Sequence, residues 1–132
     1  MSLLYPLKLV QTLMYAFLLN CQSSIPMAKC SWYGPGFHGK QTASGLIFDQ
    51  SEFTCAHRSL PLGTQLLTWN PENNAIHMGM VTDRGNFPKT VDFDLSRGWF
   101  DASTRGDLDR GHVMLYYIPI GVSTEGLPYP NN

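Results

Sequence analysis

The chain has 132 residues, enough for one domain, and a formal net charge of -1, so it offers no basic field for nucleic acid and none is expected as a partner. Charged residues make up only 14%, while twelve glycines and nine prolines are plentiful, a mixture that suits a turn-rich β fold and argues against a helical bundle.

The first stretch with a pattern is residues 9–19, an almost unbroken apolar run through Leu9, Val10, Leu13, Met14 and Leu19. Lys8 precedes it and Cys21-Gln22-Ser23-Ser24 follows, the order of a secretory signal: basic start, apolar middle, small residues at the cut. Residues 1–26 are therefore expected to be an export leader, with transient membrane contact and a periplasmic or cell-envelope destination. A run of about eleven residues is too short to span a bilayer. Leu18-Leu19-Asn20-Cys21 approximates a lipoprotein box, with Asn where a small residue belongs. Translation from Met27 would instead leave a cytosolic product.

Beyond the leader, residues 29–33 read as a strand closed by the turn cluster Gly34-Pro35-Gly36. A Gly-rich loop follows, then residues 51–56, which fit either one helical turn or a short strand. Residues 64–69 form a strand, and Asn70-Pro71-Glu72-Asn73-Asn74 reads as a hairpin turn into residues 75–83. That strand alternates and ends on Thr82-Asp83-Arg84-Gly85, an acid and a base at the lip of an apolar strand. Another strand is expected at 90–95, with Val91 and Phe93 on one face and Asp92 and Asp94 on the other. Ser96 reads as the cap of a short helix over 97–101. A long apolar strand occupies 111–120, and residues 122–132, rich in Pro, Gly and Asn, are expected to fray. Five or six short strands, with one or two short helices, predict an all-β, small closed barrel over residues 27–121.

Cys30 and Cys55 would remain as a pair once Cys21 leaves with the leader; a bridge between them and two buried thiols are both compatible with the sequence. No CxxC or HxxxH spacing is present, so no metal site is expected.

From Ser31 onward the chain resembles the rare lipoprotein A (RlpA) family of double-psi β-barrels. The matching segments are Ser31-Trp32-Tyr33-Gly34-Pro35-Gly36-Phe37-His38-Gly39, Thr42-Ala43-Ser44-Gly45, Phe48-Asp49, Thr54-Cys55-Ala56-His57-Arg58-Ser59-Leu60-Pro61-Leu62-Gly63-Thr64, Asp83-Arg84-Gly85 and Asp94-Leu95-Ser96, in family order. The resemblance implies a six-stranded double-psi barrel acting on peptidoglycan glycan strands as a lytic transglycosylase, without metal or cofactor. It implies that Asp83 is the catalytic acid and that His57 lines the cleft. The same barrel occurs in expansins and barwin-like endoglucanases, which makes a non-catalytic polysaccharide-binding module the alternative. One departure stands out: where the family carries Gly-Glu, this chain reads Gly45-Leu46. Cys30 and Cys55 also replace small apolar residues.

Such a reaction needs one carboxyl, because the sugar's own 6-hydroxyl is the nucleophile and its proximity supplies part of what a second carboxylate otherwise provides. Asp83 would donate a proton to the bridging oxygen and later recover one from the hydroxyl. His57 is expected to hydrogen-bond that acid or a sugar hydroxyl. Arg84 is expected either to turn away from Asp83 or to bind substrate. Tyr33 and Phe37 are the candidate aromatic platforms for sugar rings, and His38 and Ser44 join them as candidate contacts. Asp94 is expected to accept backbone amides near the helix start. A monomer is expected.

Overall fold

The computed structural model describes residues 4–21 and 24–132; Gln22 and Ser23, part of the expected cleavage region, lie outside the described residues, as do the side chains of Leu18, Asn20 and Cys21 in the approximate lipoprotein box. A helix α1 (Leu4–Cys21) carries the apolar run, with Leu9, Leu13 and Leu19 more than half exposed. Among the described residues no helix is long and apolar enough to cross a membrane.

Six strands form a closed barrel, β1 (Met27–Tyr33), β2 (Thr54–Ala56), β3 (Thr64–Asn70), β4 (Ala75–Asp83), β5 (Phe93–Ser96) and β6 (Val113–Val122), in the spatial order β1-β5-β2-β4-β3-β6. The pairs β1–β5 and β2–β4 run parallel and the remaining four antiparallel. This is the expected closed six-stranded barrel, and residues 54–56 resolve the helix-or-strand choice in favour of a strand. Closure leaves no long exposed edge, which matters in a chain with so few charges to guard one.

The alternation read from the sequence sets what enters the barrel. In β3, Thr64, Leu66, Thr68 and Asn70 are buried while Gln65, Leu67 and Trp69 are not. The two polar residues at the α2 end of that row are bonded: Trp99 Nε1 donates to Thr68 Oγ1 at 3.2 Å, and Asn70 Nδ2 donates to the Ser103 carbonyl at 2.8 Å. Both partners come from α2 (Arg97–Thr104), which runs three residues past the expected end. Ser96 caps it as expected, its hydroxyl accepting from the Trp99 amide at 3.3 Å. α2 seals the barrel with Trp99 and Phe100, both fully buried. Trp99 lies so close to β4 that a Cβ on Gly79 would come within 2.4 Å of its ring.

The tail docks on the barrel. The Ser123 amide donates to the Gly63 carbonyl at 3.0 Å, Leu127 joins the core cluster, and the Tyr129 amide donates to the Ser44 carbonyl at 2.8 Å. The Pro and Gly content suggested a loose end; Leu127 overrides it by finding an apolar slot. Gly63 makes the docking possible, since at φ +90° its missing Cβ leaves room for the Ser123 carbonyl.

Cys30 and Cys55 are free, buried thiols. Burial pushes both well above the usual thiol range, so they behave as small core hydrophobes.

Candidate active site

Asp83 is the last residue of β4, and a register shift between Cys55 and Ala56 of β2 sets it opposite Ala56. Ala56 also pairs with Asp94 on β5, so one small residue separates the positions of two acids on the same outer face. Ser31 of β1 stands next, in register with Asp94, and Tyr33 follows two residues on.

Two backbone amides hold the Asp83 carboxyl: Ala43 and Arg84 both donate to Oδ1 at 2.9 Å. Both amides reach the same oxygen, and the Tyr33 side chain also interacts with this carboxyl. The loop that supplies Ala43 is itself fixed. Ser44 is fully buried, its hydroxyl 2.8 Å from that of Thr42 and its amide donating to the Thr82 carbonyl at 3.0 Å. Ser44 was expected against glycan; it has no exposed surface and instead fastens the loop that carries Ala43. Leu46, where the family resemblance implies a glutamate, packs against the core.

His57 follows β2, but its imidazole is not bonded to the Asp83 carboxyl. Its Nδ1 accepts from the amides of Ser59 at 3.0 Å and Leu60 at 2.9 Å, which places the proton on Nε2. The ring leans on Phe93 at 4.8 Å. Burial, then the Arg58 and Arg84 charges, lower its pKa below the ordinary histidine value. Arg84 turns away from the acid, one of its two expected orientations: Nη1 donates to the carbonyls of Leu60 at 2.7 Å and His57 at 3.3 Å. Arg58, which sequence reasoning left without a role, donates to the Val91 carbonyl at 2.7 Å and lies 4.4 Å over the Phe87 ring, pinning the far side of the same wall.

The Tyr33 ring is stacked on Phe48 at 4.5 Å and meets the Phe37 edge at 5.5 Å. Its hydroxyl is buried and interacts with the Asp83 carboxyl. Burial first, then the Asp83 charge, push the phenol far above its usual range, so it stays neutral. Phe37 is half exposed and carries Lys40 over its ring at 5.6 Å. His38 Nδ1 accepts from the Gln50 amide at 3.2 Å and lies 4.0 Å from Asp49, so it fixes the Gly-rich loop while half its surface stays open.

Asp94 departs from expectation. Among the described residues no backbone amide donates to it; its Oδ1 accepts from the Ser31 hydroxyl at 2.9 Å. Burial raises its pKa, Asp83's charge adds to the rise, and the Ser31 bond opposes it. The signal was present in the alternation of residues 90–95, which puts Asp94 on the face opposite Phe93 and Leu95. Among the described residues no group of three His, Cys, Asp or Glu side chains is arranged to hold a metal. A groove of about 530 Å³ between α1 and the outer wall, lined by Tyr15, Trp69, Ile76, Tyr116 and Ile118 among others, contains none of these residues.

Comparison with known proteins gives the family and the fold. Residues 27–107 match the family model described as lytic transglycolase. The chain is 47% identical over 99 residues to the endolytic peptidoglycan transglycosylase RlpA of Campylobacter jejuni, covering 73% of this chain and 35% of that protein. It is 47% identical over 68 residues to the probable endolytic peptidoglycan transglycosylase RlpA of Synechocystis, covering 52% and 21%. The chain thus spans about a third or less of these curated relatives. Among solved structures it is similar to cerato-platanin 3 from M. perniciosa, with TM-score 0.58, 9% identity and coverage of 73% of this chain and 95% of that one. It is also similar to the Clavibacter michiganensis expansin, with TM-score 0.57, 19% identity and coverage of 72% and 50%. At those identities the likeness concerns the fold alone.

Proposed function

The chain belongs to the lytic transglycolase family of double-psi β-barrels that includes the RlpA proteins, and we propose that it cleaves the MurNAc–GlcNAc bonds of peptidoglycan to leave 1,6-anhydro ends. The observation that carries this reading is the Asp83 carboxyl, held at the end of β4 by two backbone amides on one oxygen. A carboxyl fixed by backbone rather than by mobile side chains keeps its aim without reorganisation when a substrate arrives.

Asp83 gives a proton to the bridging oxygen as the bond from MurNAc C1 breaks. The 6-hydroxyl of the same sugar closes on C1, and its proton returns to Asp83. No water, metal or cofactor enters the balance. His57 offers Nε2–H to a sugar hydroxyl, its other nitrogen being committed to the loop. Phe37, with its neighbour Tyr33, provides apolar area for a sugar ring, and His38 and Arg84 are further glycan contacts. We assign residues 1–26 to export of a monomeric barrel to the cell envelope.

The second reading is a glycan-binding barrel without turnover, which Leu46 favours. Incubating the protein with purified peptidoglycan separates the two: anhydro-muropeptides in the soluble fraction support cleavage, while retention on the glycan with no such product supports binding alone.

A further inference from the structure

Of the aromatic side chains in residues 27–132, only Phe37, 53% exposed, and Tyr129, 50% exposed, stand open to solvent; the others are buried or half-buried. Both open rings are tied to the surroundings of one acid. Phe37 meets Tyr33 at 5.5 Å, and Tyr33 interacts with the Asp83 carboxyl. Tyr129 reaches the same acid through the Gly-rich loop. Its amide donates to the Ser44 carbonyl at 2.8 Å, and the adjacent Ala43 amide donates to Asp83 Oδ1 at 2.9 Å. Asp83 is therefore where the supports of the two open rings converge.

Tyr129 is held on both sides along the chain. Just before it, Leu127 is buried in the core cluster. Shortly after it, Asn132 Nδ2 donates to the Ala43 carbonyl at 3.1 Å. Pro128 and one edge of the Tyr129 ring lie over Gly45, where a Cβ would come within 2.6 Å and 2.8 Å of them. Gly45, at φ +90°, leaves the room that this close approach needs. Among the described residues no other aromatic ring stacks on Tyr129. The ring is thus anchored at its backbone, packed along one edge and otherwise open. Such a ring is a preformed apolar surface that loses little freedom when something settles on it. A pyranose presents a face of C–H groups that fits it, with the hydroxyls at the rim left in water.

Resting on the transglycosylase reading above, we propose that Tyr129 is a second saccharide platform, which takes an aminosugar ring of the same glycan strand on the far side of the scissile bond from the sugar on Phe37. Residues 127–132 then form one wall of the groove, and the loop between the platforms carries the amide that aims the acid. Tyr129 touches the strand away from the bond that breaks. Its contact is the same before and during cleavage, so it acts on affinity and not on turnover.

The test is NMR titration with a soluble eight-sugar GlcNAc–MurNAc oligosaccharide, in Asp83→Asn protein with Tyr129 intact, Tyr129→Ala or Tyr129→Phe. Asp83→Asn keeps the acceptor for both amides. The Tyr129 ring protons are expected to shift on titration. Tyr129→Ala is expected to weaken binding about three- to tenfold, and Tyr129→Phe, which keeps the ring, to stay within about twofold. Hydrogen exchange at the Ala43 and Ser44 amides is expected to stay unchanged in Tyr129→Ala, because the backbone donor at position 129 remains. With Asp83 present, Tyr129→Ala is expected to raise KM for anhydro-muropeptide release by the same factor and to leave kcat in place. Unchanged affinity in Tyr129→Ala, equal losses in the Ala and Phe variants, or a loss that comes with faster exchange at Ala43 and Ser44 overturns the platform. Ring-dependent affinity in a protein that releases no anhydro product upholds the platform and overturns the transglycosylase reading. Anhydro release by a protein whose affinity is indifferent to Tyr129 does the reverse.

Discussion

The Ala43 amide donates to Asp83 Oδ1 at 2.9 Å across 40 residues of sequence. That bond joins the Gly-rich loop to the end of β4, so the carboxyl's aim depends on a loop whose own anchors are Thr42, Ser44 and the tail. Structure and chemistry therefore separate at this residue. Asparagine keeps an Oδ1 that accepts both amides but has no acid proton to give. Asp83→Asn is expected to retain the wild-type melting temperature within a few degrees while anhydro-muropeptide release falls about 10²- to 10⁴-fold. Thermal unfolding and product quantification on one preparation check both halves.

His57 links the loop to pH. Its Nδ1 accepts hydrogen bonds from two amides, a role open only to the neutral ring, and burial lowers its pKa. The folded state then binds fewer protons than the unfolded one, so this contribution is complete above the ordinary histidine value of 6.5 and is lost as pH falls below it. His77, also lowered by burial, acts in the same direction. Stability is expected to fall on acidification from neutrality, and His57→Ala, besides costing about 1 kcal/mol for the freed amides, is expected to flatten that slope. Denaturant midpoints measured between mild acid and neutrality test this.

The tail offers a sharper structural test. Leu127 is 8% exposed and packs in the core cluster, although eleven residues of Pro-, Gly- and Asn-rich chain contain it. Leu127→Ala is expected to cost about 2–3 kcal/mol, well above what a frayed end would lose. Because Tyr129 bonds the Ser44 carbonyl, the amides of residues 42–46 are also expected to exchange faster in that variant. A denaturant titration and hydrogen exchange read the two effects.

Much of the barrel was legible because its signals are local. Period-two alternation marks β3 and β4, Asn-rich punctuation marks their hairpin, and Ser96 announces α2. Asp83 stood out for the same reason, at the lip of an alternating strand. What sequence could not supply was the meeting of distant segments. Nothing near Ser44 indicates that it is buried under residues some eighty positions later. Nothing near His57 indicates that its nitrogen closes its own loop rather than reaching the acid. The Asp94–Ser31 bond spans 63 positions and depends on a parallel register that no local pattern encodes. The tail shows the remaining limit, where composition pointed to disorder and one leucine decided otherwise.

The thiols give a further check. With Cys30 1% and Cys55 0% exposed and both raised by burial, neither is expected to react with a thiol reagent in the native state. Both are expected to label at once in denaturant without prior reduction. Site-resolved mass spectrometry distinguishes this from a bridge, which would label only after reduction.

The most direct measurement is mass analysis of the soluble products when purified peptidoglycan is incubated with the wild-type protein and, in parallel, with Asp83→Asn. The account expects muropeptides with non-reducible 1,6-anhydro ends from the wild type and almost none from the variant. Reducing ends in their place, no soluble product at all, or equal release by both proteins would contradict it.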